Sequence, residues 1–320
     1  MPKTAKTKVV KIQRMQDFFF HKLTLFFASL VLIFLVGIIL SLIVTAWPTF
    51  KEFGFKFFIS TDWDVVNSKF GMIISIYGTL ISALIALIIA VPLSFGIALF
   101  LTEISPNWLK RPLGIAIELL AAIPSIIYGM FGLFVFAPIF GDYIQPVLQS
   151  LFGKVPIIGS LFMGAPNGIG MLCAGIILAF MIIPFIASIM RDVFEIVPSV
   201  LKESAYGIGC TKWEVVSKIV FPYARNGVVG GVMLGLGRAL GETMAVTFVI
   251  GNANRINASL FAPGSSIAST LANQFGEAEP GLHYSSLFAL GLALFIITFV
   301  VLGLAKFMLF SMEKKEGIKT

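Results

Sequence analysis

The sequence predicts an all-α integral membrane protein of about six transmembrane helices. Three observations carry that prediction: 58% of the residues are hydrophobic, only 12% are charged, and the apolar residues fall in continuous runs. A soluble domain has roughly 25% charged and 45–50% apolar residues. The excess here, with a mean hydropathy of +0.98, is more than one packed core absorbs, so it faces lipid. Phe alone accounts for 32 residues. The formal net charge of +7 does not indicate nucleic acid, because the charges sit between apolar runs rather than on one face or tail.

The runs cover residues 23–47, 72–101, 113–140, 168–190, 227–251 and 284–310. Each reaches the roughly 20 residues that a helix needs to cross about 30 Å of hydrocarbon. Helices fit better than barrel strands, because the runs are continuous rather than alternating, and a helix satisfies its own backbone hydrogen bonds in lipid. The first run follows a basic stretch, and Val44-Thr45-Ala46 loosely fits a cleavage site. Its length exceeds the 7–15 residues of a signal-peptide core, so it reads as a retained span. Pro92 and Pro124 predict kinks in the second and third spans.

Lysine and arginine orient the bundle. Seventeen of the 23 lie in residues 1–22, 102–112, 191–226 and the C-terminal end. Five (Lys51, Lys56, Lys69, Lys154 and Arg255) fall on the other side, and Arg238 is inside a span. The expected organisation is a basic cytoplasmic tail (1–22), a transmembrane domain (23–311) with a long cytoplasmic loop (191–226), and a short cytoplasmic tail (312–320). Both termini are then cytoplasmic in a multi-pass inner (plasma) membrane protein. On the opposite side, residues 141–167 mix Gln145, Gln149 and Lys154 with Phe152, Ile157, Ile158, Leu161 and Phe162, which predicts an interfacial segment or one folded back into the bundle. Residues 252–283 are rich in Asn, Ser, Gly and acids and read as an exposed loop. There is no internal repeat.

Cys173 lies in an apolar span and Cys210 in a polar loop, so no disulfide framework is expected. His21 and His283 stand at opposite ends of the chain and offer no metal-ligand spacing. No catalytic constellation is apparent, and the chain reads as a non-enzyme.

The loop 191–226 mixes charges and aromatics densely. Residues 202–207 suit a short helix, Gly207 and Gly209 force a turn, and residues 213–219 suit a second amphipathic helix ended before Pro222. Such a knob fits a cleft in another protein, and it equally fits a solvated connector.

Three ionisable residues interrupt the spans: Glu118, Arg238 and Glu242. A charge inside a membrane costs several kcal/mol unless it is paired or hydrated, so each is a site candidate. On one continuous helix, Arg238 and Glu242 are four apart and share a face. At 100° per residue Gly227, Gly231 and Gly235 occupy that same face, which suits close packing. Arg238 falls roughly 16 Å past Gly227, near the midplane. Either the pair is a self-neutralising salt bridge or it is an oxyanion station. In the latter, the planar arginine fork binds oxygens, while Glu242 holds Arg238 when the site is empty and favours a protonated oxyanion. Glu118, seven residues after Arg111, is either a structural or a path charge.

The loop reads Glu203-Ser204-Ala205-x3-Gly209-x9-Ile219-x-Phe221-Pro222. It resembles the E-A-A-x3-G-x9-I-x-L-P loop of ABC-transporter permeases, with Ser204 and Phe221 as mild departures. Residues 91–103, 108–125, 190–195, 202–210 and 235–247 are similar to the PstC-type permeases of phosphate-specific ABC importers. The resemblance implies a type I importer permease bundle, with the loop as the coupling helix that docks on an ATPase and with Arg238 and Glu242 on the substrate path. It also implies a second, PstA-like permease, a dimer of PstB-like ATPases and a PstS-like phosphate-binding protein. No G-x-x-x-x-G-K-[ST] run occurs, so ATP and Mg would be used by the partner and this chain would bind no cofactor. A permease for sulfate or molybdate is the near alternative. An ion-coupled secondary transporter is the distant one, since those folds show paired repeats and broken helices.

Overall fold

The computed structural model describes residues 3–156 and 158–315. Met1, Pro2, Ile157 and residues 316–320 of the C-terminal tail lie outside the described residues, as do the side chains of residues 3–12, 158, 308, 309 and 311–315. Among the described residues the chain is helical, with one isolated antiparallel bridge between Asp64 and Lys69. Among the described residues, six helices are long and apolar enough to cross a membrane.

Helix α1 (Lys3–Phe53) carries the first span. It is followed by α2 (Ile73–Ile104), whose last turn, Phe100–Ile104, widens to a π-helix. Next come α3 (Asn107–Ala121), α4 (Ser125–Phe152) and α5 (Met171–Glu195). Then follow α6 (Ser199–Gly207), α7 (Lys212–Leu240), α8 (Met244–Val249), α9 (Ile267–Gln274) and α10 (Leu282–Lys315). With 51 residues and about 1.5 Å per residue, α1 far exceeds the bilayer core, so the basic tail is a continuation of the first span.

The core is built around α5, which buries residues on every side, including Cys173, Ile177, Leu178, Ile182, Ile186 and Met190. Against it lies the small-residue stripe of α2: Ala83, Ala86, Ala90, Ser94 and Ala98. Recurring at three- and four-residue intervals, these positions let two backbones approach closely. Ser94 donates its hydroxyl to the Ile183 carbonyl at 3.0 Å. Helix α1 packs mainly along α10, where Thr49 hydrogen-bonds Ser285 and Ser286.

Several sequence expectations are corrected. The third span is not the continuous run 113–140. The chain breaks at Ala122–Pro124, and the spanning helix starts at Ser125 and runs through residues 141–152 to Phe152. Pro124, which has no N–H and adopts ψ 137°, ends α3 rather than kinking a longer helix. The Leu120 carbonyl accepts the Tyr128 hydroxyl at 3.0 Å instead. Glu118 consequently belongs to a separate amphipathic helix at the basic end of the bundle.

The fifth span is shifted as well. The helix does not end before Pro222: a π turn at Val216–Val220 leads directly into it, and the helix continues to Leu240. The wider turn accommodates a ring that would clash in regular α geometry. After Leu240 the backbone leaves the helix at Gly241 and resumes at Met244.

Residues 252–283 are not simply an exposed loop. They contain α9, whose first four residues are buried. A hydroxyl network holds it on α2: Ser75 bonds Thr270 at 3.2 Å, Ser265 bonds Thr270 at 2.8 Å, and Ile267 N–H donates to Thr79 Oγ1 at 2.9 Å. These polar residues read as solvent-seeking in sequence but satisfy one another inside the bundle. Beyond Phe152, the strap to residue 170 folds back over the bundle, with Gln149 Nε2 donating to the Gly164 carbonyl and Leu260 N–H to the Leu161 carbonyl.

Candidate functional site

Arg238 lies in the last turn of α7, two residues before the break. The glycine face behaves as the spacing predicts. A Cβ on Gly235 would stand 2.5 Å from Ile186 Cδ1, and one on Gly231 would stand 3.0 Å from Ile189 Cγ2. One on Gly227 would overlap Val193. Helix α7 is thereby seated directly on α5, and the arginine one turn further on meets Phe185, near the middle of α5. The guanidinium carbon is 5.6 Å from the Phe185 ring centroid. Its Nε is buried and has no hydrogen-bond partner among the described residues.

Glu242 is not its partner. Because α7 stops at Leu240, the two residues do not sit one turn apart on a single helix. Glu242 Oε1 accepts the Ala245 N–H at 3.1 Å, capping the start of α8. The freed N–H groups at a helix start attract a carboxylate, and this competes with the intrahelical pair. Among the described residues Arg238 makes no ion pair. A half-buried guanidinium beside an aromatic ring, with an unused donor and no fixed counter-ion, is suited to receiving an oxyanion.

Glu118 pairs instead with Arg191 at 2.8 Å, and Arg191 also bonds Asp192 at 2.7 Å. The Glu118 side chain is 55% exposed. Arg191 lies over Gly114, where a Cβ would be 2.7 Å from its Nη1. The Glu118–Arg191 ion pair links α3 to α5.

The 191–226 knob is assembled by local rules. Helix α6 ends through Gly209 at φ +90°, with Cys210 N–H donating to the Ala205 carbonyl at 3.1 Å. Only glycine adopts that φ cheaply. Thr211 and Glu214 form a reciprocal capping box that opens α7, a Thr-x-x-Glu signal that was legible in sequence. The patterned residues divide into two sets. Glu203 and Ser204 face outward with Val200, Ile208 and Trp213, whereas Ala205 is buried. Ile219 packs on the core, and Phe221 meets Phe95 edge-on at 5.6 Å. Pro222 is in the first turn of the helix segment Phe221–Leu240. Sequence reasoning did not single out Phe185, Arg191, Glu103 or Lys202, because each gains its role from a distant partner.

The family model described as binding-protein-dependent transport system inner membrane component matches residues 90–314. The chain belongs to this family. It is a multi-pass inner-membrane protein, and the match covers the break in the fifth span and the knob. A curated relative from Pasteurella multocida (strain Pm70), named phosphate transport system permease protein PstC, is 58% identical over 303 residues, covering 95% of this chain and 94% of the relative. A relative of the same name from Mesorhizobium japonicum is 54% identical over 315 residues, covering 98% and 96%. Among solved structures, the fold is similar to a chain of a bacterial alginate ABC transporter in complex with an alginate pentasaccharide-bound periplasmic protein. The TM-score is 0.60 at 16% identity, with 89% of this chain and 93% of that chain covered. That likeness is one of fold, and the bundle is that of an ABC importer permease.

Proposed function

We propose that this chain is the transmembrane permease subunit of an ATP-driven importer and moves inorganic phosphate across the inner membrane. The observation that carries the reading is Arg238, a cation in the last turn of α7 that makes no ion pair among the described residues, placed where the fifth span breaks. An anion passing this point finds a planar fork of donors in a low-dielectric setting, where charge-assisted hydrogen bonds are strong. Phe185 holds the cation from below without occupying its hydrogen-bonding edges. The names of the relatives support phosphate rather than another oxyanion.

Glu242 is the selecting group in this reading. Its carboxylate accepts from a protonated oxyanion such as hydrogen phosphate and repels one with no proton to offer, such as sulfate. The break between α7 and α8 leaves Glu242 free to leave its cap when substrate arrives.

The knob faces the cytoplasm together with both termini, an orientation supported by the distribution of Lys and Arg. Glu203, Ser204, Ile208 and Trp213 form the surface that an ATPase subunit seats on. The chain has no phosphate-binding nucleotide loop of its own, so a pair of PstB-like ATPases binds and hydrolyses ATP with Mg, and this chain binds no cofactor. A PstA-like permease completes the path, and a PstS-like binding protein delivers phosphate from the other side.

The test is reconstitution of the complex in proteoliposomes, measuring uptake of labelled phosphate with sulfate as competitor. Uptake that requires ATP and resists sulfate supports the proposal. Equal uptake of sulfate redirects it to a general oxyanion permease, and uptake driven by an ion gradient without ATP overturns it.

A further inference from the structure

The coupling knob is joined to the bundle by an ion pair that no part of the transport path uses. Lys202 Nζ is 2.6 Å from Glu103 Oε1, and the two side chains are only 19% and 8% exposed. Lys202 lies on α6, directly before the outward-facing Glu203. Glu103 lies in the π turn that closes α2. Around helix α6 the residues sort cleanly: Lys202 and Ala205, three apart, turn toward the bundle, while Val200, Glu203, Ser204 and Gly207 are exposed.

That turn of α2 is itself fastened. Ser105 N–H donates to the Phe100 carbonyl at 2.7 Å, and the Ser105 hydroxyl donates to the Leu101 carbonyl at 3.1 Å. Lys110 Nζ donates to the Thr102 carbonyl at 2.8 Å, tying in the start of α3. The opposite end of α2 is bonded to α9 through Ser75 and Thr79. A displacement of α6 therefore acts on a 32-residue helix that packs on α5, the helix beneath Arg238.

We propose that Lys202 and Glu103 are positioning residues that transmit the movement of the ATPase-docked knob to α2, and through it to the transport path. The inference rests on the ATP-driven reading above and adds the residue pair through which the drive enters the bundle. A nearly buried pair suits this role, because breaking it strands a desolvated charge, so the two helices move together rather than separate. An exposed pair of the Lys218–Glu214 kind, 71% and 40% exposed, would yield to solvent.

The experiment uses the whole reconstituted complex and reads phosphate moved per ATP hydrolysed, alongside the maximal ATPase rate and the recovery of intact complex. Four forms are compared: wild type, Lys202→Met, the neutral double variant K202M/E103Q, and the charge-reversed K202E/E103K. Transmission through the pair predicts that K202M/E103Q assembles and hydrolyses ATP but moves about three- to tenfold less phosphate per ATP. It also predicts that K202E/E103K recovers most of the loss. If the neutral double variant transports with the wild-type ratio, the pair is only a staple and the proposal is overturned. If charge reversal assembles yet recovers nothing, the proposal is likewise overturned. Failure of the underlying reading looks different: wild type itself would then show no ATP-driven phosphate uptake.

Discussion

The guanidinium of Arg238 rests over the ring of Phe185, 5.6 Å from its centroid, while Glu242, four residues on in the chain, turns away to cap the next helix. This relationship changes what the two charges can do. A paired Arg–Glu would be a neutral plug; separated, they give a cation in the last turn of α7 and an acceptor on the short polar break that follows.

Arg238→Lys keeps the charge but loses the fork and the extended π contact. It is expected to lower ATP-dependent phosphate uptake at least about tenfold, the weight of one good charge-assisted hydrogen bond, with the amount of assembled complex unchanged. Phe185→Leu, which removes only the ring beneath the cation, is expected to cost about 0.5–2 kcal/mol, seen as a weaker apparent affinity for phosphate in the same assay. Wild-type uptake by Arg238→Lys would remove Arg238 from the path.

Glu242→Gln keeps an oxygen able to accept from Ala245 but removes the negative charge. Phosphate uptake should persist while sulfate becomes an effective competitor, narrowing the preference by about tenfold or more, since like-charge juxtaposition costs several kcal/mol. Competition assays at a fixed phosphate concentration would reveal this, and unchanged selectivity would return Glu242 to a capping role alone.

Glu118→Gln is expected to leave uptake within about twofold and to lower stability by no more than about 1 kcal/mol. The reason is its exposure at 55% and its position on α3 beside Arg191. A large loss of transport with intact assembly would place it on the path after all.

Gly78→Ala should destabilise the fold. The added Cβ would fall against the carbonyl oxygen of Ser265, a backbone atom that cannot rotate away. A cost of about 1–3 kcal/mol is expected, read as a lower midpoint in thermal unfolding of the purified protein in detergent. The same substitution at Gly37, where an added Cβ meets nothing within 4 Å, serves as the control.

Gly209→Val tests the knob. At φ +90° a β-branched residue is strained, and the closure of α6 onto Cys210 depends on that conformation. Loss of ATPase co-purification, with an unchanged monomer, is the expected outcome.

Composition, the spacing of apolar runs and the bias of basic residues were enough to state that the chain is a helical membrane protein with six crossings and one patterned loop. These features depend only on the solvent each residue tolerates and on the length needed to cross a bilayer, so they are written locally. The glycine face at 227, 231 and 235 was legible for the same reason, because helical periodicity places those residues in line whatever lies opposite.

The tertiary structure decided where helices end and which charges meet. Hydropathy cannot see that α7 stops at Leu240 or that the third crossing begins only at Ser125, since apolar residues continue on both sides of each break. Whether Glu242 reaches for Arg238 or for the Ala245 N–H depends on that break. Glu118 finds Arg191, and Glu103 finds Lys202, across 73 and 99 residues of chain. Polar residues in a low-dielectric interior must find partners, and the partner is chosen by packing in three dimensions, not by distance along the chain.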